Sequence, residues 1–404
     1  MKYQAHTPFD QKIQIVKEKH AMLPDILSSL DIDCWMVVIR ETAANPDPVQ
    51  NLVIGGEVVW TACFIFSYQD SNFRKIAIVG NFDADFEKNK GIWDEVIPYT
   101  KSLAEVLIPK FAELKPKKIA LNYSKDEVMS DGLSHGLFLT INEMLDGFVF
   151  VSAEKIIQTL RSRKSQTEVE LITNAAKLTE EINGYASKNY KSGMTEIEIQ
   201  NVFHSKMDEL GVIEAWQREG CPSVDAGPDK VFGHVGPSKL KIREGGTLHN
   251  DFGVKLSGYT SDIQRMWYFG KKEELPDELA HAFKTVHGAI SAAAEFIKPG
   301  VKGVEVDTVA RNHVISQGYK EFEHALGHQV GTLAHDGGAL LGPKWERYGD
   351  LPDGIIEKNN VFTLELYVKT ENHGMVSLEE MILITDDGCK FMVPRQEDYI
   401  YMDL

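Results

Sequence analysis

DFGVKLSGYTSDIQR, Asp251 to Arg265, is the stretch on which the reading of this 404-residue chain turns. Asp251 and Asp262 flank Lys255–Gly258, a segment of turn composition, so a simple hairpin sets the two aspartates opposite one another. Directly paired strand residues have Cβ atoms ~4.5–5.5 Å apart, where like charges repel. Two carboxylates held that close want a cation between them.

Downstream residues strengthen this expectation. HALGHQVGTLAHDGG carries His324, His328 and His335 within twelve residues. NVFTLELYV (360–368) is an apolar strand interrupted by Glu365, and VSLEEMILIT (376–385) is another with Glu379 and Glu380 near its start. Lone charges in such runs are costly to bury unless paired or coordinated. Asp251, Asp262, Glu365 and Glu379 supply four negative charges, which match two divalent cations, with His328 as a neutral nitrogen ligand. An oxygen-rich set with one imidazole suits a hard or borderline ion such as manganese(II), and no cysteine is placed to favour a closed zinc site. Two such ions lower the pKa of a bridging water and polarise a carbonyl, which is the machinery for amide hydrolysis near neutral pH.

The order Asp251, Asp262, His328, Glu365, Glu379 resembles the pita-bread metallopeptidases, a family that includes methionine aminopeptidase, aminopeptidase P and prolidase. Two strings carry the resemblance: D-x-G-x-x-x-x-G-Y-x-S-D-x-x-R at 251–265 and G-H-x-x-G-x-x-x-H-D at 327–336. His335-Asp336-Gly337-Gly338 is nearer to the H-D-V-G of the proline-specific branch than to the H-E-x-P form found elsewhere. The likeness spans about residues 161–396, and the region before it is similar to the N-terminal domain of the aminopeptidase P, prolidase and creatinase branch. It implies a domain of residues 1–160 followed by a catalytic domain of residues 161–404. It also implies that Asp251 chelates one metal, that His328 and Glu365 bind the other, and that Asp262 and Glu379 bridge both. Cobalt and zinc are alternatives to manganese. His335 is then the residue that stabilises the tetrahedral intermediate, Glu365 takes a proton from the bridging water, and His234 and His324 contact substrate. The implied function is an exopeptidase, a dipeptidase or aminopeptidase, that cleaves Xaa-Pro bonds with a metal-activated hydroxide, as a homodimer.

Two departures from that pattern stand out. Glu365 is followed by Leu366 and Tyr367 rather than Pro-Gly, and Ser377 stands two places before Glu379, where proline-specific members carry arginine. Shortening that arm to serine opens space and removes a carboxylate donor. The departures leave two alternatives open: a hydrolase or lyase of a small non-peptide substrate on the same fold, and a non-catalytic binding protein. His249 reads as a strand-face histidine with a structural partner, and Trp345-Glu-Arg-Tyr348 as a locally packed aromatic segment.

The rest of the chain sets the frame. The fold class is α+β. Short apolar runs at Cys34–Ile39, Ala62–Tyr68, Ile76–Val79 and Ile119–Leu121 predict strands of a small mixed sheet, with a helix over Ser102–Leu114. LRSRKS at 160–165 reads as a basic, exposed joint, followed by capping boxes at Ser165–Glu168 and Thr195–Glu198. Helix pairs near 166–211 and 275–316, each followed by strands, suggest a pseudo-duplication. Sixty acidic against 43 basic residues, a net charge of −17, argue against a nucleic-acid partner. No apolar run reaches membrane-spanning length, and the start lacks a secretory pattern. The four scattered cysteines fit a reducing, cytoplasmic setting.

Overall fold

The computed structural model describes residues 3–229 and 235–403. The chain divides into two compact units, Pro8–Arg161 and Ser162 onward, and the residues before Pro8 belong to the second. Among the described residues no helix is long and apolar enough to cross a membrane.

Strands β1 (Cys34–Ile39), β2 (Ala62–Gln69), β3 (Asn72–Gly80), β4 (Glu95–Tyr99), β5 (Ile119–Leu121) and β6 (Phe150–Ser152) build the sheet of the first unit. Its order is β4-β3-β2-β1-β5-β6, antiparallel between β1, β2 and β3 and parallel elsewhere. The apolar runs predict the four inner strands, β3, β2, β1 and β5, but not β4 or β6. Those two form the sheet edges and are only half-buried, so they lack a continuous apolar run to announce them. Leu107 and Phe111 of the helix Ala104–Leu114 and Ile141 of the helix His135–Met144 share a core with Met36, Val38, Ile65 and Ile78. The long helix Phe9–Ser29 has no sequence signal of comparable strength, because it holds Pro24 and has no side-chain cap at its start.

In the second unit both capping boxes form, at the starts of the helices Gln166–Ser187 and Glu196–Leu210. Gly211 ends the second of these in the left-handed region, at φ 78°. Strands β7 (Ile213–Glu214), β8 (Ser223–Ala226), β9 (Thr247–Phe252), β10 (Val254–Leu256), β11 (Tyr259–Thr260) and β12 (Ile263–Phe269) follow. The helix pair Asp277–Phe296 and Gly303–Ser316 then precedes β13 (Val361–Lys369), β14 (Met375–Ile384), β15 (Cys389–Phe391) and β16 (Ile400–Met402). Helix pair and strands thus recur twice, in an α+β arrangement. The main sheet runs β13-β14-β12-β9-β8, with β15 on β14 and β16 on β12. Leu364, Leu366, Leu378 and Ile382 pack on Val286 and Ile290 of the second helix pair, while Leu248, Phe252 and Trp267 pack on Ile182 and Phe203 of the first.

Two local expectations are corrected. The basic joint is not exposed: Arg161 and Lys164 are buried, and only Arg163 reaches water. Each cation has a partner within its own unit, Arg161 on Pro48 O at 2.8 Å, Lys164 on Asp336 at 2.6 Å and Arg163 on both oxygens of Glu357. Cations in that position satisfy carbonyls and carboxylates that would otherwise be stranded.

The hairpin is also displaced. Leu256 pairs with Tyr259 and Asp251 with Gln264, so the turn is Ser257-Gly258, one residue later than a turn centred in Lys255–Gly258. Both turn residues have positive φ, 49° and 82°, as a type I′ turn requires. Moving the centre by one residue moves the pairing by two, which keeps the side chains on the same face. Asp262 is therefore the diagonal neighbour of Asp251 rather than its partner. Gly253 is needed at the closest point of this hairpin, since a Cβ there would collide with the Ser261 carbonyl oxygen. Gly253→Ala is expected to destabilise the protein by ~1–3 kcal/mol, as overpacking does. Denaturant unfolding checks this, and wild-type stability would show that the strands part freely at this point.

Candidate functional site

Side chains alternate along a strand, so pairing register decides what shares a face. Across the main sheet Ser223, Asp251, Gln264, Glu379 and Glu365 lie in one row, from β8 to β13. Along β13 and β14 this face is opposite to the one on which Leu364, Leu366 and Leu378 meet the helices. Asp262 joins the same face two residues before Gln264.

His328 arrives from outside the sheet. Glu365 N donates to Leu326 O at 2.7 Å and Thr363 N to His328 O at 3.0 Å, so the 326–328 segment runs along the free edge of β13. Gly327 permits this approach, because a Cβ there would strike the Thr363 carbonyl oxygen. The result is a His328 Nε2 that stands 3.5 Å from Glu365 Oε1 and 3.8 Å from Asp262 Oδ2. One ligand atom from each of Asp262, His328 and Glu379 lies within 4.8 Å of the others. The structure thus brings Asp262, His328, Glu365 and Glu379 together, with Asp251, the fifth residue expected to hold metal, on the row beside them.

His335 stands on the open side, its ring edge-on to that of His328 with centroids 4.1 Å apart. Its loop is anchored by Asp336, which accepts from buried Lys164 at 2.6 Å and from Thr332 Oγ1 at 3.0 Å. His324 is held by Ala325 O at 2.7 Å, and its ring lies 5.3 Å from that of Tyr367. His234 lies outside the described residues. Trp345 stacks on Tyr348 at 5.8 Å, the local packing expected of it.

The electrostatics explain why the site suits cations. Burial, and then the charge of Glu365, pushes Asp251 up to about 6. Burial, with Asp251 and Glu365 nearby, drives Asp262 well above the usual carboxylate range. Glu379 is driven up by burial and by Asp262, Glu365 and Asp251. Burial also works against ionised Glu365, but its hydrogen bond to His328 and the charges of His324, His328 and His335 outweigh it and hold the carboxyl below its ordinary value. Neither carboxylate oxygen of Glu379 has a partner within hydrogen-bonding distance among the described residues, although the nearby Gln264 amide favours its ionised form, and Asp251 Oδ1 has none. Buried acceptors are nearly always satisfied, and divalent cations satisfy carboxylates in this way. The donor set therefore fits divalent metal ions.

Three site residues lack an obvious sequence signal. Gln264 has only its place two residues after Asp262, yet its Nε2 donates to Glu365 Oε2 at 3.1 Å. Tyr367 shares the Glu365 face because β13 continues in register to Lys369, which the missing Pro-Gly permits. Ser377 does not open space, contrary to the expectation from its small size. It is 2% exposed, and its hydroxyl donates to Gln264 Oε1 at 2.5 Å. The Gln264 carboxamide occupies the neighbourhood that a longer side chain at 377 would enter. His249, as expected, has structural partners: Asp225 at Nδ1 and Gln264 at Nε2, each at 3.0 Å. Burial disfavours its charged form, but the hydrogen bond and charge of Asp225 prevail and raise its pKa.

The X-Pro aminopeptidase from Thermotoga maritima superposes with a TM-score of 0.71 at 23% identity, covering 93% of this chain and 99% of that one. The prolidase from Pyrococcus horikoshii gives 0.68 at 21%, covering 95% and 100%. The fold is accordingly the pita-bread fold of these proteins. By sequence the chain is 25% identical to the Xaa-Pro dipeptidase of Pyrococcus horikoshii over 302 residues, 74% of this chain and 82% of the relative. It is 27% identical to the putative dipeptidase YkvY of Bacillus subtilis over 348 residues, 84% and 88%. Residues 170–386, more than half of the chain, match the model of metallopeptidase family M24. Register, ligand cluster and family model agree, and the chain belongs to metallopeptidase family M24, whose members work with divalent metal ions.

Proposed function

We propose that this protein is an exopeptidase that hydrolyses Xaa-Pro bonds with two divalent ions, manganese by preference, held by Asp251, Asp262, His328, Glu365 and Glu379. The unit Pro8–Arg161 is its creatinase/prolidase-like N-terminal domain, and the unit from Ser162 onward, with the residues before Pro8, is its catalytic domain. The observation that carries this reading is the pair of orphaned Glu379 oxygens beside Asp262 and His328. Four carboxylates balance two divalent charges, and oxygen donors with a single imidazole suit manganese. The relatives named as Xaa-Pro dipeptidases support the proline preference. Its free cysteines suit a reducing cytoplasm, and the exposed Trp60 and Phe82 of the first unit offer an apolar surface to a second copy in a homodimer.

When bound, the ions supply a Lewis acid for the scissile carbonyl and bring the pKa of water near neutrality. The protein's own groups do the rest. Glu365, ionised and in contact with His328, takes the proton of the attacking water. His335, an exposed residue beside His328, donates to the oxygen on which negative charge develops. His324 and Tyr367 wall the substrate side, and His234 contacts substrate. Proline's tertiary amide has no N–H, so its pocket needs shape and histidine contacts rather than an acceptor.

The direct test is hydrolysis of a panel of Xaa-Pro, Xaa-Pro-Xaa and proline-free peptides by manganese-loaded protein. Turnover confined to Xaa-Pro bonds is expected, and none with any Xaa-Pro peptide would move the chain to a small non-peptide substrate. Exhaustive chelation should abolish that turnover, and full activity in metal-free protein would sink the mechanism. His335→Ala should lower kcat by ~10²–10³ with metal content unchanged, as loss of one oxyanion donor does. Asp262→Asn should lose metal instead; metal loss in His335→Ala would make His335 a ligand.

Stability should follow pH in a way that reports the same carboxylates. Asp251, Asp262 and Glu379 have raised folded pKa values, so the metal-free fold holds their protons better than the unfolded chain does. Their contribution is fully present below the unfolded pKa of ~4 and is lost as pH rises through about 6 and beyond. Bound metal removes that loss, while protons compete with metal in acid. The rise in Tm on adding manganese should therefore be larger at about pH 7.5 than at about pH 5. An equal or larger rise in acid would remove these carboxylates from the metal site.

A further inference from the structure

Gln264 is the one uncharged side chain between Asp251 and Glu379 in the row of site residues, and it is 4% exposed. A buried primary amide has a donor end and an acceptor end, and its neighbours decide which way it points. Glu365 Oε2, a carboxylate oxygen 3.1 Å away, accepts from the amide. The amide nitrogen therefore faces Glu365, and Oε1 turns to the opposite side. There it accepts from Ser377 Oγ at 2.5 Å and from His249 Nε2 at 3.0 Å. Both ring nitrogens of His249 thus face acceptors and both donate, Nε2 to Gln264 Oε1 and Nδ1 to Asp225 Oδ2 at 3.0 Å, and Asp225 Oδ2 also accepts from Ser223 Oγ at 3.3 Å. His249, Asp225 and Ser377 are each less than a tenth exposed. The middle of the chain of contacts is therefore buried, and its ends at Glu365 and Ser223 are half-buried.

What this chain controls is the orientation of one carboxylate. Glu365 Oε2 is held by Gln264, and Oε1 is thereby turned to His328 Nε2 at 3.5 Å. A carboxylate free to rotate offers either oxygen, or both, to an ion. One pinned by an amide offers a single, defined oxygen. We propose that Asp225, His249 and Gln264 form a positioning chain that holds Glu365 by one oxygen and presents the other, beside His328, to metal. The proposal rests on the reading of Glu365 as a ligand. It assigns Gln264 and His249 no contact with the reacting atoms, since both act through Glu365. Groups that orient a ligand from behind typically change metal affinity by ~10–100-fold when removed.

Manganese affinity, measured by chelator competition on the full-length protein, tests the chain without relying on activity. Gln264→Met keeps length and volume but removes the amide, and should weaken binding by ~10–100-fold. His249→Leu should weaken it in the same direction. The double variant should bind no worse than Gln264→Met alone, because His249 acts only through Gln264 and its effect disappears with the amide. Melting of the metal-free variants separates positioning from packing: a structural role alone lowers Tm and leaves affinity unchanged. Affinities within about twofold of wild type, or single effects that add, would overturn the chain. Should either variant fail to fold, Ser377→Ala removes only one of the two donors to Oε1 and should cost about threefold in affinity, in line with one hydrogen bond. No loss there would also overturn it. A wild-type protein that binds no manganese fails the metal-site reading itself. Tight wild-type binding with indifferent variants fails the positioning chain alone.

Discussion

Negative charge crowded on one face of a sheet is the constraint on which the second unit depends. Asp251, Asp262, Glu365 and Glu379 are packed among strands whose opposite face is tied to helices by Leu364, Leu366 and Leu378. The carboxylates cannot move apart without breaking that packing, and three of them resist ionisation where they stand. A rigid anionic cluster that is costly without a cation and comfortable with one is a binding site by construction. The glycines at 253 and 327 serve the same end, since they let a second backbone come close enough to crowd the ligands.

Much of this was legible in the residues themselves. Charges set in apolar strands announce a partner, and the turn composition between Asp251 and Asp262 set those two on neighbouring strands. Even the error over the hairpin was harmless to the site: Asp262 lies diagonal to Asp251 instead of opposite, and a two-residue slip preserves the face. The edge strands β4 and β6 were illegible because an edge needs no apolar run. The exposed joint at 160–165 was misread because positive charge looks solvated until its partners, Pro48 O, Asp336 and Glu357, are brought to it from more than a hundred residues away.

Gln264 and Ser377 show a different limit. A neutral polar residue in a strand carries no cost that pattern alone can detect, and its meaning comes from the two neighbours its amide must satisfy. Ser377 looked like a deletion, the stump of a longer arm, whereas its hydroxyl is a donor that Gln264 uses. Small residues in a buried polar network are parts of it, and their size says little about how much room is left.

The residues before Pro8 belong to the catalytic unit, where they grip the tip of its central hairpin. Gln4 O accepts from Ser257 N and Ala5 O from Gly258 N, both at 2.7 Å, and Thr7 Oγ1 donates to Ser257 O at 2.7 Å. The unit Pro8–Arg161 is therefore an insertion, placed in sequence between two parts of the other unit. During synthesis the inserted unit has all its residues as soon as Arg161 is made. The segment before Pro8 finds its partners only beyond the inserted unit, Tyr3 N on Leu210 O at 2.8 Å and Thr7 Oγ1 on Ser257 O, the latter 250 residues away in sequence. Closing so long a loop belongs late in folding.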